Sequence, residues 1–445
     1  GLKSYFVPSA FSLKKSNQRI AYFQPLIQQG KFSLKVLSDC FPEDSYVNNF
    51  PQIPHELINI FNSEDLDKQI QDTDLVISML PATLHVLLAP SCIKYKVSLF
   101  TASYLSDEMK KMNEEVSENN LLFLNECGLD PGLDHMSAKK IIDEIEENGG
   151  RVITMESFTG GLVAPESDDN PWNYKITWNP KNVVLAGQGG AARFYQKGTL
   201  KYIPYTKLFR RTEVIEILDY GKFEGYANRD STQYKSLYNL KDAETVFRGT
   251  LRRLGFCKAW DKLIQLGFTD DSYIIPDSEN LSYREFTNLF LAYNPHDSVE
   301  IKLQRYLNIE QDDFALWEKL TFLGLFSHEK IGIPNASPAR ILQHILEQKL
   351  RLKSTDKDMI AMHHIFEYEI KGVTKKIQSS LVVLGHNQHK TAMAKTVGLP
   401  IAIAAKLYLE GKINAKGVKI PVDKNIYAPI LNELKQEYKI IFVEK

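Results

Sequence analysis

The chain predicts an α/β fold: a Rossmann-type doubly wound parallel sheet, then a second mixed α+β domain carrying a helical insertion. Three observations predict it. Short apolar runs alternate with helical segments through the first third, as in successive βα units. Three of those runs, DLVISML (74–80), KVSLFTASY (96–104) and NLLFLNE (120–126), are continuously apolar, as in strands covered on both faces. Beyond residue 151 the alternation gives way to strand-like runs, a polar loop and a long helical stretch.

In chain order, FSLKVLSD (32–39) and LINIF (57–61) read as short strands and SEDLDKQIQ (63–71) as a polar helix. The three apolar runs follow, with a helix at SDEMKKMNEEV (106–116) between the last two. The last run ends in NECGLDPGLDHMSA (125–138), which carries more polar chemistry than a plain connection needs. Asp130-Pro131-Gly132 makes the turn, and Asp134 is placed to N-cap a helix whose apolar face is Met136, Ala138, Ile141, Ile142 and Ile145. Asp130 is left without a structural task. It stands beyond the carboxyl end of a strand, where sheets of this type bind their ligands.

RVITMESFTGG (151–161) is strand-like, and 165–180 is a loop rich in Pro, Asn and Asp. Residues 241–355 read as mostly helical. Residues 358–385 read as a hairpin around Lys371-Gly372, and AMAKTVGLPIAIAAKLYLEG (392–411) as an apolar helix that docks back on the first domain. The expected domains are a dinucleotide-binding domain at 1–134 completed by 389–445, a substrate domain at 135–240 with 356–388, and a helical insertion at 241–355.

Composition narrows the function. The chain has 445 residues, 43% hydrophobic and 24% charged, with a net charge of −1, so it lacks the basic footprint of a nucleic-acid binder. Cys40, Cys92, Cys127 and Cys257 form no C-x-x-C pair, which argues against a zinc site and for free thiols. The apolar stretch 75–90 holds two prolines and a histidine and is too short to cross a bilayer. A soluble, cytoplasmic protein with a small-molecule substrate is expected, without nucleic acid, membrane or metal, and with a homodimer allowed.

A dinucleotide fold normally opens with strand, G-x-G-x-x-G and helix, so that backbone N–H groups reach the pyrophosphate. Residues 2–29 contain no glycine. Either Gly1 is the remnant of a loop whose strand lies upstream, or the loop has diverged. VVLAGQGGAARF (183–194) matches the fingerprint through Gly187, Gly189 and Ala192, but its short flanks fit a turn in the second domain better. Asp39, at the end of the second strand, is of the type that accepts ribose hydroxyls and repels a 2′-phosphate, which favours NAD over NADP, with NADP still allowed.

TASYLSDEM (101–109), NECGLDPGLDHM, TGGLVAPESDDNPWNYKITWNP (159–180), EGYANRDSTQY (224–234), RGTLRRLGFCKAW (248–260) and AMAKTVGLP (392–400) together resemble the glutamate-forming saccharopine dehydrogenases. The likeness runs from about residue 57 to the end; the glycine-poor opening is the departure. The resemblance implies an NAD(P)-dependent oxidoreductase of lysine metabolism. It would oxidise saccharopine, an adduct of lysine and glutamate, to L-glutamate and L-2-aminoadipate 6-semialdehyde, or run in reverse.

Residue by residue, the resemblance implies that Ser103, Tyr104 and Asp130 contact substrate, together with Arg229, Thr250, Leu251 and Arg252 from the second domain. It implies cofactor contacts at Ser38, Asp39, Leu80, Ala102, Leu129, Asp130 and Pro131.

The chemistry asks for such residue types. Saccharopine carries three carboxylates, which call for planar guanidinium forks. Arg210, Arg211, Arg229, Arg248, Arg252 and Arg253 lie close together in sequence. Loss of the amine proton and activation of water ask for an acid–base group. Asp130 is the first choice, with Tyr104 beside it; Glu126 and His135 are nearby, and His135 reads as a packed histidine. Trp172 and Trp178 read either as cleft walls or as core. Two alternatives remain. One is a polyamine-forming member of the same superfamily, of the homospermidine or carboxynorspermidine type. The other is a catalytically silent binding protein without the nucleotide loop.

Overall fold

The computed structural model describes residues 2–8, 32–38, 55–186 and 188–445, with only the backbone for the strands at 2–8 and 32–38. The chain divides into two compact units. The first comprises Gly1–Val152, Tyr368–Lys375 and Leu381–Lys445; the second comprises Ile153–Glu367 and Lys376–Ser380.

The first unit is built on a seven-stranded sheet. Its strands are β1 (Leu2–Pro8), β2 (Phe32–Ser38), β3 (His55–Leu57), β4 (Leu75–Met79), β5 (Ser98–Thr101), β6 (Leu122–Leu124) and, at the edge, Gly417–Lys419. The order is 417–419, β6, β5, β4, β1, β2, β3, and every pair is parallel. The strand order reverses between β1 and β4, the switch point at which doubly wound sheets take up dinucleotides. The residues of β4, β5 and β6 are all buried, which is why the sequence shows them as unbroken apolar runs. Leu66 and Ile70 from the helix Ser63–Ile70 join Val76, Leu99 and Phe123 in one core cluster. The helix Ala392–Leu409 docks on β5: the Tyr408 hydroxyl lies 2.7 Å from Ser98 Oγ, and its ring meets Phe100 edge-on at 5.4 Å.

Four expectations are corrected here. The central strand is Leu2–Pro8, which overturns the first of the two readings of the opening, and the stretch that follows it, where the second places a diverged loop, lies outside the described residues. The strand expected at 57–61 ends at Leu57, because Ile58 and Ile60 bury their side chains from the connection that follows. The helix expected at 106–116 is two helices, Asp107–Lys111 and Asn113–Glu118, meeting at Met112; Met109 and Val116 share the buried side, so the spacing hides the break. Asp134 does not cap its helix, which spans Leu133–Glu147 and is preceded by Gly132. The loop folds back so tightly that a Cβ on Gly132 would lie 2.1 Å from the Gly128 carbonyl oxygen. The Asp134 carboxylate instead accepts the Gly132 N–H at 2.6 Å.

The second unit centres on a mixed sheet. Its strands are β7 (Arg151–Val163), β8 (Ala192–Gln196), β9 (Thr199–Ile203), β10 (Thr212–Glu216), β11 (Lys222–Ala227), β12 (Thr245–Arg253), β13 (Asp358–Ile370) and β14 (Val373–Leu384). The order is β10, β11, β12, β7, β13, β14, with β8 and β9 as a hairpin against β12. β12 runs antiparallel to β11 and parallel to β7. The Phe158 ring covers two glycines here: a Cβ would fall 2.7 Å from it at Gly225 and 2.5 Å at Gly249.

β13 and β14 join through Lys371 and Gly372, both with positive φ, as a two-residue hairpin turn requires. The stretch 241–355 opens with β12 before its helices begin at Phe256, which corrects the helical expectation there. The stretch 183–194 runs from the helix Pro180–Val184 into β8, the reverse of strand, loop, helix, so it is a turn and not a phosphate loop. Gly189 supplies that turn with φ +93°, and Gly187 lies outside the described residues.

Candidate active site

The first unit gathers its polar residues where β4, β5 and β6 end. The backbone after β5 is tied to the backbone after β6: Cys127 N–H donates to the Thr101 carbonyl at 3.1 Å, and Glu126 N–H to the Ser103 carbonyl at 3.0 Å. One Glu126 oxygen accepts the Leu105 N–H at 3.0 Å, and the other lies 2.7 Å from Nε2 of the fully buried His135. Glu126 and His135 thus brace the two loops. That leaves Tyr104 and Asp130, which reach each other across the strand ends: the Tyr104 hydroxyl donates to Asp130 Oδ1 at 3.0 Å, and both side chains are half-buried.

Around this pair, Leu80, Leu129 and Pro131 are buried and Ala102 is half-buried. Gly128 lets the loops approach closely, since a Cβ there would lie 3.0 Å from Ala102 Cβ. A small, mostly apolar rim beside a switch point fits a flat nicotinamide ring. Ser38 is the last residue of β2, with its side chain outside the described part, and Asp39 lies outside it altogether.

Below these loops lies His85, which the sequence reading missed. Its ring is buried between Ser78 of β4 and Ser103 after β5, 2.7 Å from each hydroxyl. Burial pushes its pKa down to about 4. A histidine inside the apolar run LPATLHVLL was the available signal.

In the second unit the arginines separate into distinct environments. Arg210 is paired with Asp261 at 2.9 Å, and Arg211 donates to Gln196 at 3.0 Å. Arg253 donates to the Tyr220 carbonyl at 2.7 Å, and Arg248 is buried over the Tyr234 ring. Arg229, at φ +46°, is exposed.

Arg252 differs. It is only 4% exposed and sits among the rings of Tyr174, Phe256 and Tyr226, at 5.1, 5.3 and 5.9 Å. It donates from Nη1 to the Leu251 carbonyl at 2.9 Å. Its Nε has no hydrogen-bond partner, and the buried Tyr174 hydroxyl has none either. No carboxylate among the described residues pairs with it. A buried cation held by π faces and lacking an anion is costly unless a ligand supplies one. Thr250 is half-buried and Leu251 fully buried beside it on β12. Trp172 is core, its indole N–H donating to the Lys319 carbonyl at 2.8 Å, and Trp178 is half-buried. Cys92, Cys127 and Cys257 are free buried thiols, and the described residues contain no cluster suited to a metal ion.

The chain is similar to known proteins along most of its length. A family described as saccharopine dehydrogenase NADP binding domain matches residues 47–124, and one described as saccharopine dehydrogenase C-terminal domain matches residues 128–440. The chain is 33% identical over 393 residues to the saccharopine dehydrogenase [NADP(+), L-glutamate-forming] of Saccharomyces cerevisiae, covering 87% of this chain and 88% of that protein. It is 35% identical to the mitochondrial alpha-aminoadipic semialdehyde synthase of Bos taurus over 84% of this chain and 41% of the larger protein. Among solved structures, the apo L-Glu-forming saccharopine dehydrogenase of Saccharomyces cerevisiae superposes with a TM-score of 0.90 at 30% identity, covering 100% of this chain and 99% of that one. A homospermidine synthase from Legionella pneumophila, at 9% identity and a TM-score of 0.59, shares the fold. The match along most of the sequence and the agreement in fold lead to one conclusion: the chain belongs to the saccharopine dehydrogenase family.

Proposed function

We propose that Tyr104 and Asp130 carry the proton transfers of the reaction, that Arg252 binds a substrate carboxylate, and that the cofactor is NADP. The reaction is the NAD(P)-dependent interconversion of L-saccharopine with L-glutamate and L-2-aminoadipate 6-semialdehyde. A bound nicotinamide nucleotide supplies the hydride acceptor or donor. The residues that would hold it in the first unit are Leu80, Ala102, Leu129 and Pro131 at the strand ends, with Ser38 and Asp39 toward the adenosine side. The preference for NADP is supported by the match of residues 47–124 to the saccharopine dehydrogenase NADP binding domain and by similarity to NADP(+)-named relatives. Asp39, the residue that favoured NAD in the sequence, lies outside the described part.

The chain's own residues manage protons and carboxylates. Oxidation needs the secondary amine of saccharopine unprotonated, and hydrolysis needs water activated. The Asp130 carboxylate, oriented by the Tyr104 hydroxyl, accepts those protons and returns them in the reverse direction. Ser103 contributes a hydroxyl to the substrate. In the second unit, Arg252 offers a desolvated guanidinium, Thr250 a hydroxyl and Leu251 an apolar wall, while Arg229 offers a second, exposed cation.

The observation that carries this assignment is that no carboxylate among the described residues pairs with the buried Arg252. It also disfavours a cationic polyamine substrate. Arg252→Met tests it. A charge-assisted hydrogen bond contributes roughly 1.5–3 kcal/mol. The Michaelis constant for saccharopine should therefore rise about ten- to a hundredfold while that for the cofactor stays within twofold. Equal rises in both constants would remove Arg252 from the substrate clamp.

A further inference from the structure

His85 lies in the 3-10 turn Ala82–Leu88 that follows β4, and its side chain is 3% exposed. Both ring nitrogens are engaged. Nδ1 is 2.7 Å from Ser78 Oγ; Nε2 is 2.7 Å from Ser103 Oγ and 3.1 Å from Thr101 Oγ1. The Ser103 N–H in turn donates to Thr101 Oγ1 at 3.2 Å. The imidazole is therefore a bridge between the ends of β4 and β5, with the Ser103 hydroxyl at its outer end.

A neutral imidazole has one N–H and one lone pair, so its two nitrogens play opposite roles. With the proton on Nδ1, the ring donates to Ser78 and the Ser103 proton is drawn inward to Nε2. Ser103 then presents only lone pairs. With the proton on Nε2, Ser78 donates to Nδ1, and the Nε2–H is shared between the oxygens of Ser103 and Thr101. The Ser103 hydrogen is then free to point outward. A carboxylate accepts hydrogen bonds only, so a substrate rich in carboxylates selects the second arrangement.

We infer that His85 is a positioning residue for saccharopine: its Nε2–H holds the Ser103 oxygen, so that the Ser103 hydroxyl donates to a substrate carboxylate. The inference rests on the reading that Ser103 contacts substrate. Ser78 is the far end of the same device, since its hydroxyl keeps Nδ1 in the accepting role.

The test is a double-mutant cycle on the full chain with saccharopine and NADP+, using His85→Asn, His85→Gln, Ser103→Ala and the two doubles. An asparagine amide reaches the Nδ1 side alone; a glutamine amide nitrogen reaches the place of Nε2. Loss of one hydrogen bond to a charged group predicts that His85→Asn raises the Michaelis constant for saccharopine about tenfold. The constant for the cofactor should stay within about twofold, and His85→Gln should lose less than His85→Asn. In the Ser103→Ala background either change at His85 should add less than about twofold, because the hydroxyl it positions is gone.

The inference is overturned if His85→Asn costs the same factor with and without Ser103, or if it raises both Michaelis constants equally. Ser103→Ala leaving the saccharopine constant unchanged would take Ser103 out of the substrate contacts and overturn it by that route. Absence of saccharopine turnover in the parent chain would instead strike the reaction itself. If His85→Asn does not fold, as judged by its near-ultraviolet circular dichroism, the cycle built on His85→Gln decides in the same way.

Discussion

Asp130 and Asp134 stand four residues apart and serve unrelated ends. Asp134 is buried and spends an oxygen on the Gly132 N–H, which locks the turn into the helix. Asp130 is half-buried and holds the Tyr104 hydroxyl. Asp130→Asn keeps the shape and removes the base, so kcat should fall about a hundred- to ten-thousandfold. Tyr104→Phe should fall less, and the double variant should be little worse than Asp130→Asn, because the two act as a unit. Steady-state rates of the three variants, with cofactor affinity as the control, check this. The motif around Asp130 was legible in the sequence because turn geometry alone does not ask for so many polar residues. The arginines were less legible. Spacing alone does not separate Arg210, Arg211, Arg248, Arg252 and Arg253; the resemblance singles out Arg252, with Arg229, and packing adds that Arg210 already has Asp261 while Arg252 has aromatic rings and no carboxylate partner among the described residues. His85 escaped because a histidine in an apolar run reads as core, and it is core; its task lies in what each ring nitrogen touches.

At the level of elements, burial on both faces made β4, β5 and β6 readable, and the alternation around Lys371-Gly372 made the β13–β14 hairpin readable. β12 was hidden because VFRGTLRR places arginines at buried positions, against the usual reading of charge as surface. Its glycine is equally informative. Gly249 lies under the Phe158 ring, which also packs against Phe247 with ring centroids 5.4 Å apart. Gly249→Ala would drive a methyl to within 2.5 Å of Phe158 Cδ1. Overpacking of this kind costs about 1–3 kcal/mol, so denaturant unfolding should show that loss. Because β12 carries Thr250, Leu251 and Arg252, the same change should also raise the Michaelis constant for saccharopine.

For the whole molecule, the second unit carries a pH dependence. Glu156 on β7 is desolvated and faces Glu213 on β10 and Glu367 on β13, against Lys376 on β14; burial, then the two carboxylates, push its pKa up to about 7 from 4.5. The folded state therefore holds the Glu156 proton more tightly than the unfolded chain does. Its contribution to stability is fully present below about pH 4.5 and is lost as pH rises through about 7, an effect of up to about 3 kcal/mol. Glu156→Gln should accordingly melt near the parent at about pH 5 and above it at about pH 8. The broad architecture, a parallel doubly wound sheet followed by a mixed α+β part, was legible from periodicity and composition. The return of the chain's last segment was legible in the apolar helix at 392–411, whereas the membership of Tyr368–Lys375, the tip of the β13–β14 hairpin, in the first unit is a tertiary fact that no local pattern encodes. The reaction is tested most directly by absorbance at the nicotinamide band when the full chain meets L-saccharopine with NADP+, and separately with NAD+. A saccharopine-dependent rise that is faster with NADP+ is expected; no rise with either nucleotide would rule out the reaction, and a faster rise with NAD+ would rule out NADP as the preferred cofactor.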